Sequence, residues 1–244
     1  MKRAKPDFDV IWTRQRSAAE KQRPLSQEQI VAAAVELADE GSLDAVSIRR
    51  IAARLNVGAT TLYWHVQSKA DLYELMFDAA FSDLEFPDPT GDWRADVRLC
   101  SLRVHEVMNR HPWLVLLGIQ PTMGPNIRRF IEFGAAVLGP LGLDAATRTE
   151  IFAIVNNYLL GFAHRRTAWD ALRERAGLTE DQWRSRLEEY LEETRASDPA
   201  FAADIEARLR LSSEHSFELG LDCMLDGIAA RLVSSPSPRN TTPE

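Results

Sequence analysis

Apolar residues recur at helical spacing in almost every segment longer than ten residues of this 244-residue chain. A repeat of three and four positions gathers apolar side chains on one face of a helix, whereas a half-buried strand needs strict alternation. No convincing alternating run is present. The sequence therefore predicts an all-α fold of nine or ten helices without a sheet.

Signals for helix starts and stops divide the chain at definite places. Capping boxes, in which a hydroxyl residue and an acid or amide three positions later satisfy the first N–H groups of a helix, begin at Ser26, Ser68 and Thr179. The predicted helices are 27–41, 48–55, 59–64, 69–83, 93–110, 127–138, 145–176, 179–195, 199–209 and 214–233.

The stretch from Phe86 to Gly91 contains two prolines and interrupts the helical pattern, so we place a domain boundary there. The predicted organisation has four parts: a basic N-terminal extension at 1–24, a head at 25–85, a larger helical bundle at 86–233 and a disordered tail at 234–244.

Charge is distributed unevenly along the chain. The net charge of −7 argues against a histone-like or ribosomal nucleic-acid binder. Residues 1–69, however, hold 11 Lys and Arg against 8 Asp and Glu, while residues 70–244 hold 18 against 28. A relatively basic head on an acidic body is the first indication of function.

Several classes of protein are not expected. The longest apolar run, 113–119, has seven residues, and a membrane span needs about 20. No apolar stretch follows the first basic residues, so no signal peptide is predicted. Two cysteines lack the density of a disulfide scaffold, which favours buried free thiols in a reducing cytoplasm.

Residues 47–65 carry the most informative pattern. A short helix capped by Ser47, a turn that contains Gly58 and a second short helix predict a helix-turn-helix, although a generic helical hairpin has the same apolar spacing. In a helix-turn-helix the second helix enters the DNA major groove. The spacing turns Val57 and Leu62 inward. The side chains expected to face outward are Arg49, Thr60, Thr61, Tyr63, Trp64 and His65.

The stretch from Ser47 to Leu72, with Leu62-Tyr-Trp-His-Val66 and Lys69 inside it, resembles the DNA-binding signature of the TetR family of transcriptional regulators. Gly91-Asp-Trp-Arg-Ala-Asp-Val97 and His111-Pro-Trp113 resemble the C-terminal domain of the same family. The resemblance implies an N-terminal three-helix helix-turn-helix DNA-binding domain joined to a larger helical-bundle ligand-binding and dimerisation domain. It also implies a homodimer on a double-stranded DNA operator.

Position by position, the resemblance implies individual DNA contacts. Arg49 matches a base-contacting arginine, whose fork suits the edge of a guanine. Thr61 and Tyr63 match contacts of the recognition helix. The residues that match contacts to the phosphate backbone are Trp64, His65 and Lys69. The complete set of candidate DNA-binding residues is Ser47, Arg49, Ala59, Thr60, Thr61, Tyr63, Trp64, His65 and Lys69.

Two of these positions depart from the family pattern. Ala59 stands where a family member carries an amide side chain that can read a base, and Thr60 stands where that member has proline. Ala59 can offer only an apolar contact, for instance to a thymine methyl. The resemblance therefore carries over the mode of docking and not the operator sequence.

The extension at 1–24 holds 7 Lys and Arg against 3 Asp and Glu. It either follows DNA phosphates as an arm or is a solvated, poorly ordered segment, and the sequence leaves both interpretations open.

The body carries aromatic, thioether and isolated polar residues on helices that the resemblance places around a cavity. A mostly apolar pocket with few polar groups is typical of small-molecule sites, although each of these residues could equally belong to the core. The candidate ligand-binding residues are Cys100, Val104, His105, Met108, Trp113, Met123, Phe130, Phe133, Asn157 and Phe162. No local pattern supports a metal-bridged effector, so we predict neither a metal nor a cofactor.

The last predicted helix has two different faces. Its bulky face, spaced for core burial, consists of Phe217, Leu221, Met224, Ile228 and Leu232. Its second face consists of the small residues Gly220, Cys223, Gly227 and Ala230. Small residues let another helix approach closely. We therefore predict that this helix and the helix at 145–176 pair with their symmetry mates in a dimer.

Together these observations predict a homodimeric DNA-binding regulator, a repressor that a small organic ligand releases from its operator through the helix at 69–83. One alternative is a trigger by a protein partner or by oxidation of Cys100. The other, a helical-bundle enzyme, has little support. None of the five histidines follows a glutamate by three positions, and no zinc, phosphate-loop or nucleophile motif is present, so no catalytic residue is predicted.

Overall fold

The computed structural model describes residues 25–117, 124–210 and 213–234. In these residues it consists of α-helices and two short 3-10 turns, Leu43–Ala45 and Gly139–Leu141, without a strand. The all-α prediction is confirmed. The extension at 1–24 and the tail beyond Ser234 lie outside the described residues, as does Met123.

The helices follow the predicted order along the chain. They are α1 (Gln27–Gly41), α2 (Ile48–Arg54), α3 (Ala59–Leu62), α4 (Lys69–Ala79), α5 (Trp93–Arg110), α6 (Leu114–Leu117), α7 (Pro125–Leu138), α8 (Ala145–Arg175), α9 (Glu180–Ser197), α10 (Pro199–Arg210) and α11 (Ser213–Ser234).

The differences from the predicted helices are confined to short segments. Helix α6 escaped prediction because a single turn of apolar residues has no period to detect. Helix α4 ends at Ala79, and the chain continues to Leu84 in turns closed by i to i+3 hydrogen bonds. Helix α3 stops at Leu62, two residues before the predicted end.

Capping hydrogen bonds form at Ser26, Ser68 and Thr179, and the reciprocal pair of a capping box forms at Ser26 and Thr179. The Ser26 hydroxyl accepts from the Gln29 amide at 3.2 Å, and the Gln29 side chain accepts from the Ser26 amide at 2.9 Å. The same reciprocal pair forms between Thr179 and Gln182. The Asp144 carboxylate accepts from the Thr147 amide at 2.8 Å and from the Thr147 hydroxyl at 3.2 Å, and these two bonds lower the pKa of the Asp144 carboxyl. Each cap satisfies N–H groups that have no partner inside the helix.

The chain divides into two compact units. One contains the described residues up to Gly91 together with Leu102–Pro140, and the other contains Asp92–Ser101 together with the described residues from Leu141 onwards. This division differs from the predicted boundary at residue 86. The difference arises because α6 and α7 pack against α4 of the head.

The first unit is organised around α4. This helix packs on α1 as well as on α6 and α7, while α2 packs on α1 and α3. The core consists of completely or almost completely buried side chains from the helices of the head and the turns between them. The largest of these are Ile30, Ile51, Leu62, Val66, Leu72 and Met76.

The second unit pairs α8 with α11, and α9 with α10. Phe217, Leu221 and Ile228 of the predicted bulky face are buried, and Leu225 is buried beside them. The start of α5 is tied to α11 by ion pairs. Arg98 lies 2.6 Å from Glu218, and Arg94 lies 2.5 Å from Asp226.

The turn between α2 and α3 generates a stability prediction. Asn56 has φ +52°, in the left-handed region, whereas Gly58 has φ −72° and an open position for a Cβ, with Thr61 Oγ1 3.9 Å away. A left-handed conformation costs most L-residues roughly 1–2 kcal/mol, and asparagine tolerates it better. We expect Asn56→Ala to lower the free energy of unfolding in urea by about 1 kcal/mol.

The matched control is Gly58→Ala, for which we expect a change below about 0.5 kcal/mol, because the poorer N-cap preference of alanine is offset by the lower entropy of the unfolded chain. A larger loss at position 58 than at position 56 would show that the turn depends on glycine rather than on asparagine.

Candidate DNA-binding surface and effector residues

The helix-turn-helix is assembled from local hydrogen bonds and a shared core. The Ser47 hydroxyl accepts from the Arg50 amide at 3.3 Å and so caps α2. The Val57 amide donates to the Ala52 carbonyl at 2.9 Å, which closes the turn. Ile51 on α2 and Leu62 on α3 are completely buried. These contacts hold α3 against α2 with one face available to solvent.

The exposed face of the motif carries large aromatic side chains. Tyr63 is 56% exposed and Trp64 is 63% exposed, although such rings are normally found largely buried. Arg49 and Thr60 are exposed as well, and Ala59 and Thr61 are half-buried. A surface of aromatic, hydroxyl and cationic groups on a groove-sized helix suits contact with base edges and phosphates.

His65 departs from the prediction that its side chain faces outward. The side chain is only 8% exposed. The reason is that His65 lies three residues after the completely buried Leu62, whose carbonyl accepts from the His65 amide at 2.9 Å, so both side chains lie on the inward face of this turn. The His65 carbonyl also accepts a hydrogen bond from Gln27 Nε2 at 3.0 Å. Because 38 residues separate this pair, no sequence pattern could have identified Gln27.

Lys69 lies exposed at the first turn of α4, next to the recognition helix. Its Nζ lies 5.1 Å from the centroid of the Tyr73 ring. The hydrogen bond with the Tyr73 hydroxyl raises the pKa of Lys69, whose ordinary value already leaves the ammonium group charged at neutral pH. Tyr73 was not among the predicted site residues, although its i+4 spacing from Lys69 is a visible signal.

The three arginines of α2 differ in how accessible they are to a DNA phosphate. Arg54 lies 3.2 Å from Glu36 and 2.5 Å from Glu40, both on α1. The Arg54 guanidinium lowers the pKa of the Glu40 carboxyl in turn. Arg49 and Arg50 are exposed. The positive charge that α2 offers to a phosphate backbone therefore comes from its first turn.

Several candidate effector residues lie in the first compact unit. Val104, His105, Met108, Trp113 and Phe133 are buried, and Phe130 is half-buried. Phe130 and Phe133 belong to an aromatic cluster with Phe81 and Phe86, in which the rings of Phe86 and Phe133 stack at 5.0 Å. His105 Nε2 lies 3.1 Å from the Asn109 side-chain amide.

The remaining candidates lie in the second unit. Cys100 is buried, as is Phe162, whose ring meets the Phe217 ring edge-on at 5.1 Å. Asn157 is exposed on α8, and its role as an effector contact stays a prediction. It points to the side of α8 opposite the buried Val155 and Leu159.

The small-residue face of α11 divides into two parts. Cys223, Gly227 and Ala230 are exposed. Gly220 instead faces the ring of Tyr158 within the chain, because a Cβ at this position would collide with the Tyr158 hydroxyl. That hydroxyl donates to the Phe217 carbonyl at 2.7 Å. The exposure of Cys223 also corrects the expectation that both thiols are buried.

Two carboxylates in the first unit were missed by the sequence analysis. Asp39 on α1 accepts hydrogen bonds from His111 and Trp113, and Asp78 on α4 accepts from the first turn of α7. Neither acid stands in a recognisable motif, and their partners are 48 to 74 residues away along the chain.

Neither a membrane-spanning helix nor a metal-binding group is found in the portion of the chain described above. None of its helices combines the length and apolar character needed to cross a membrane. It contains no group of three or more His, Cys, Asp or Glu side chains placed to bind a metal ion.

Comparison with known families identifies two matching regions. The family described as bacterial regulatory proteins, tetR family, matches residues 30–76. The family described as tetracyclin repressor-like, C-terminal domain, matches residues 86–232.

Two curated relatives match over most of their length. An HTH-type transcriptional regulator of Saccharopolyspora erythraea is 33% identical over 91% of this chain and 92% of its own. The HTH-type transcriptional repressor DrrR1 of Streptomyces coeruleorubidus is 30% identical over 91% of this chain and 84% of its own.

Solved structures of ActR from Streptomyces coelicolor share the architecture. Apo ActR superposes with a TM-score of 0.72 at 25% identity, over 88% of this chain and 99% of ActR. ActR in complex with actinorhodin gives a TM-score of 0.70 at 28% identity, over 85% and 97% of the two chains.

The Tyr158 contact with Gly220 yields a prediction for the second unit. We expect Gly220→Ala to lower the free energy of unfolding by about 1–3 kcal/mol, because the new methyl group displaces the Tyr158 hydroxyl. Tyr158→Phe removes that hydroxyl and loses one hydrogen bond, worth about 1 kcal/mol. In the double variant the loss falls below the sum of the single losses, as measured by urea unfolding at one protein concentration. Additive losses would contradict the contact.

Proposed function

The chain belongs to the TetR family of bacterial transcriptional regulators, and on that premise we propose that it is a homodimeric repressor that a small organic ligand releases from its DNA operator. The observation that carries the DNA-binding part is the exposure of Tyr63 and Trp64, directly after α3, together with the exposure of Arg49 on α2. The family consists of regulators and not of enzymes.

In the proposed complex α3 lies in the major groove. Arg49, Thr61 and Tyr63 contact base edges, and Trp64 and Lys69 contact phosphates. His65, whose side chain is buried, supports the end of α3 through its backbone and is withdrawn from the proposed phosphate contacts. Ala59 and Thr60 contribute an apolar and a hydroxyl contact, and Ser47 acts as the cap of α2.

Repression and release by a ligand are proposed from the relatives. DrrR1 is named as a repressor, and ActR has been solved with actinorhodin bound. In this chain the effector contacts would come from buried aromatic, thioether and imidazole side chains of the first compact unit, on α5, before α6 and on α7. Burial of Cys100 gives no support to the alternative trigger by oxidation of this thiol. The site of action is the cytoplasm, where the operator DNA lies.

The homodimer is proposed from the exposed apolar side chains of the second unit. Ile154 on α8 is 46% exposed, and Leu219 on α11 is 57% exposed. Leu219 shares α11 with the exposed small residues Cys223, Gly227 and Ala230. Apolar side chains beside small residues allow a partner helix to pack closely.

Selection of DNA from a random pool tests the operator-binding part. We expect the purified full-length chain to enrich one near-palindromic duplex. Arg49→Ala combined with Tyr63→Ala should weaken binding of that duplex by about 5- to 150-fold, since one bidentate arginine contact is worth about 1–3 kcal/mol. Fluorescence anisotropy at fixed salt concentration measures the change.

Arg128→Ala is the matched control, because Arg128 is an exposed cation of α7 that lies 2.7 Å from Glu132. It should leave the affinity for the selected duplex unchanged. Enrichment of no sequence by the wild-type chain, or equal binding by the double variant, would overturn the proposed function.

Sedimentation velocity at micromolar concentration tests the dimer. We expect Gly227→Arg to convert the dimer to a monomer, because a long cationic side chain prevents close approach of a second helix. Ser185→Arg introduces the same side chain on the exposed face of α9 and should leave the dimer intact. A monomeric wild-type chain, or a dimeric Gly227→Arg variant, would exclude this interface.

A further inference from the structure

Two acidic side chains of the head accept hydrogen bonds from one later segment of the chain, residues 111–127. Asp39 belongs to α1, and Asp78 belongs to α4. The partners of Asp39 lie just before α6, and the partners of Asp78 lie in the first turn of α7. All of them belong to the first compact unit. We call these two carboxylates the acid anchors.

The first acid anchor joins α1 to the start of α6. One oxygen of Asp39, Oδ1, accepts from His111 Nδ1 at 2.8 Å and from Trp113 Nε1 at 2.7 Å. The indole N–H of tryptophan can only donate, so a buried Trp113 requires an acceptor such as this. Bonds to an ionised acceptor are about twice as strong as neutral ones.

The second acid anchor joins α4 to the start of α7. Asp78 Oδ1 accepts from the Ile127 amide at 2.9 Å and from the Asn126 amide at 3.1 Å, and Oδ2 accepts from the Asn126 side chain at 2.9 Å. The carboxylate thus caps α7 in place of Gly124, which offers no side chain at the N-cap position. A negative charge at this end of a helix is favourable.

The chain around Asp78 is shaped for this contact. A Cβ on Gly124 would overlap the Asp78 carboxylate, so glycine leaves the space that the acid occupies. Burial raises the pKa of Asp78, and hydrogen bonds from Ile127 and Asn126 oppose that rise. The acid is almost completely buried, so moving α4 away from α7 would leave a desolvated carboxyl group without these donors.

We infer that Asp39 and Asp78 are positioning residues that make the DNA-binding head move together with residues 111–117 and with the start of α7, residues 124–127. A single anchor would allow the head to pivot, whereas anchors on α1 and α4, which pack together, fix its orientation. The inference rests on the proposed function and adds a second route of coupling, through α1. A displacement of residues 111–117 and 124–127 then turns the recognition helix through both α1 and α4.

The test uses reciprocity, because an event at residues 111–127 that changes DNA affinity requires DNA binding to act back on those residues. The probe is the duplex enriched by the wild-type chain. Hydrogen exchange of the full-length protein is followed by mass spectrometry in peptides covering 111–117, with and without saturating duplex. We expect the duplex to slow exchange there about 5-fold or more, the lower end of common coupling energies.

The ratio of interest is the exchange rate at 111–117 without duplex divided by the rate with duplex. Asp39→Ala should reduce this ratio to below about 2-fold at saturating duplex, so that the coupling energy falls below half of its former value. Asp39→Asn retains an acceptor oxygen and should restore the ratio. Glu40→Ala is the matched control. It removes the same charge at the next position of α1, from an acid that binds Arg54 within the head. It should leave the ratio unchanged.

Gly124→Ala tests the second acid anchor without altering an acid, and we expect it to reduce the ratio in the same peptides. Trp113→Phe, which removes only the indole donor, replaces Asp39→Ala if that variant does not fold. A merely structural contact would raise exchange equally with and without duplex, and an unchanged ratio would overturn the inference.

The outcomes separate the two proposals. If the wild-type chain selects no duplex, the proposed function fails. If it selects a duplex but exchange at 111–117 does not respond, the function stands and the inference fails. If Gly124→Ala alone lowers the ratio, coupling through α1 is excluded.

Discussion

The capping of α7 by the buried Asp78 of α4 is the contact on which the arrangement of the first unit depends. Helix α4 already contributes Leu72 and Met76 to the core of the head. Its remaining face is therefore available for a polar contact with α7, and Gly124 provides the space. Hydrogen bonds to a charged group are worth about 1.5–3 kcal/mol each. Separating the head from α7 would break several of them together, so the two pack as parts of one unit.

The uneven distribution of charge explains how an acidic protein can present a DNA-binding surface. The chain carries a net charge of −7, yet Arg49, Arg50 and Lys69 are exposed on α2 and α4, the helices that precede and follow α3. Arg54 is paired to Glu36 and Glu40 and contributes mainly to the packing of α2 on α1. Like-charge repulsion from the acidic remainder disfavours other surfaces, so electrostatics orients the head towards the phosphates.

The effector candidates also have structural contacts. Trp113 donates its indole N–H to Asp39, and Phe133 stacks on Phe86, so both link elements of the first unit in the absence of a ligand. A ligand that touches such residues would disturb contacts that already hold the head. In the second unit, Gly220 accommodates Tyr158, whereas Gly227 has open space beside it. Small residues on one helix face thus serve different purposes.

The sequence by itself determined the elements whose signals are local. Helical periodicity gave the all-α fold, and Ser26, Asp144 and Thr179 marked helix starts because a cap bonds to amides within three residues. The motif at 47–72 gave the family. Only the tertiary structure decided what long-range packing controls: the burial of His65, the exposure of Asn157, the pairing of Gly220 with Tyr158 and the anchoring roles of Asp39 and Asp78. Those contacts join residues far apart in the chain, and no local pattern encodes which distant donor a given carboxylate will meet.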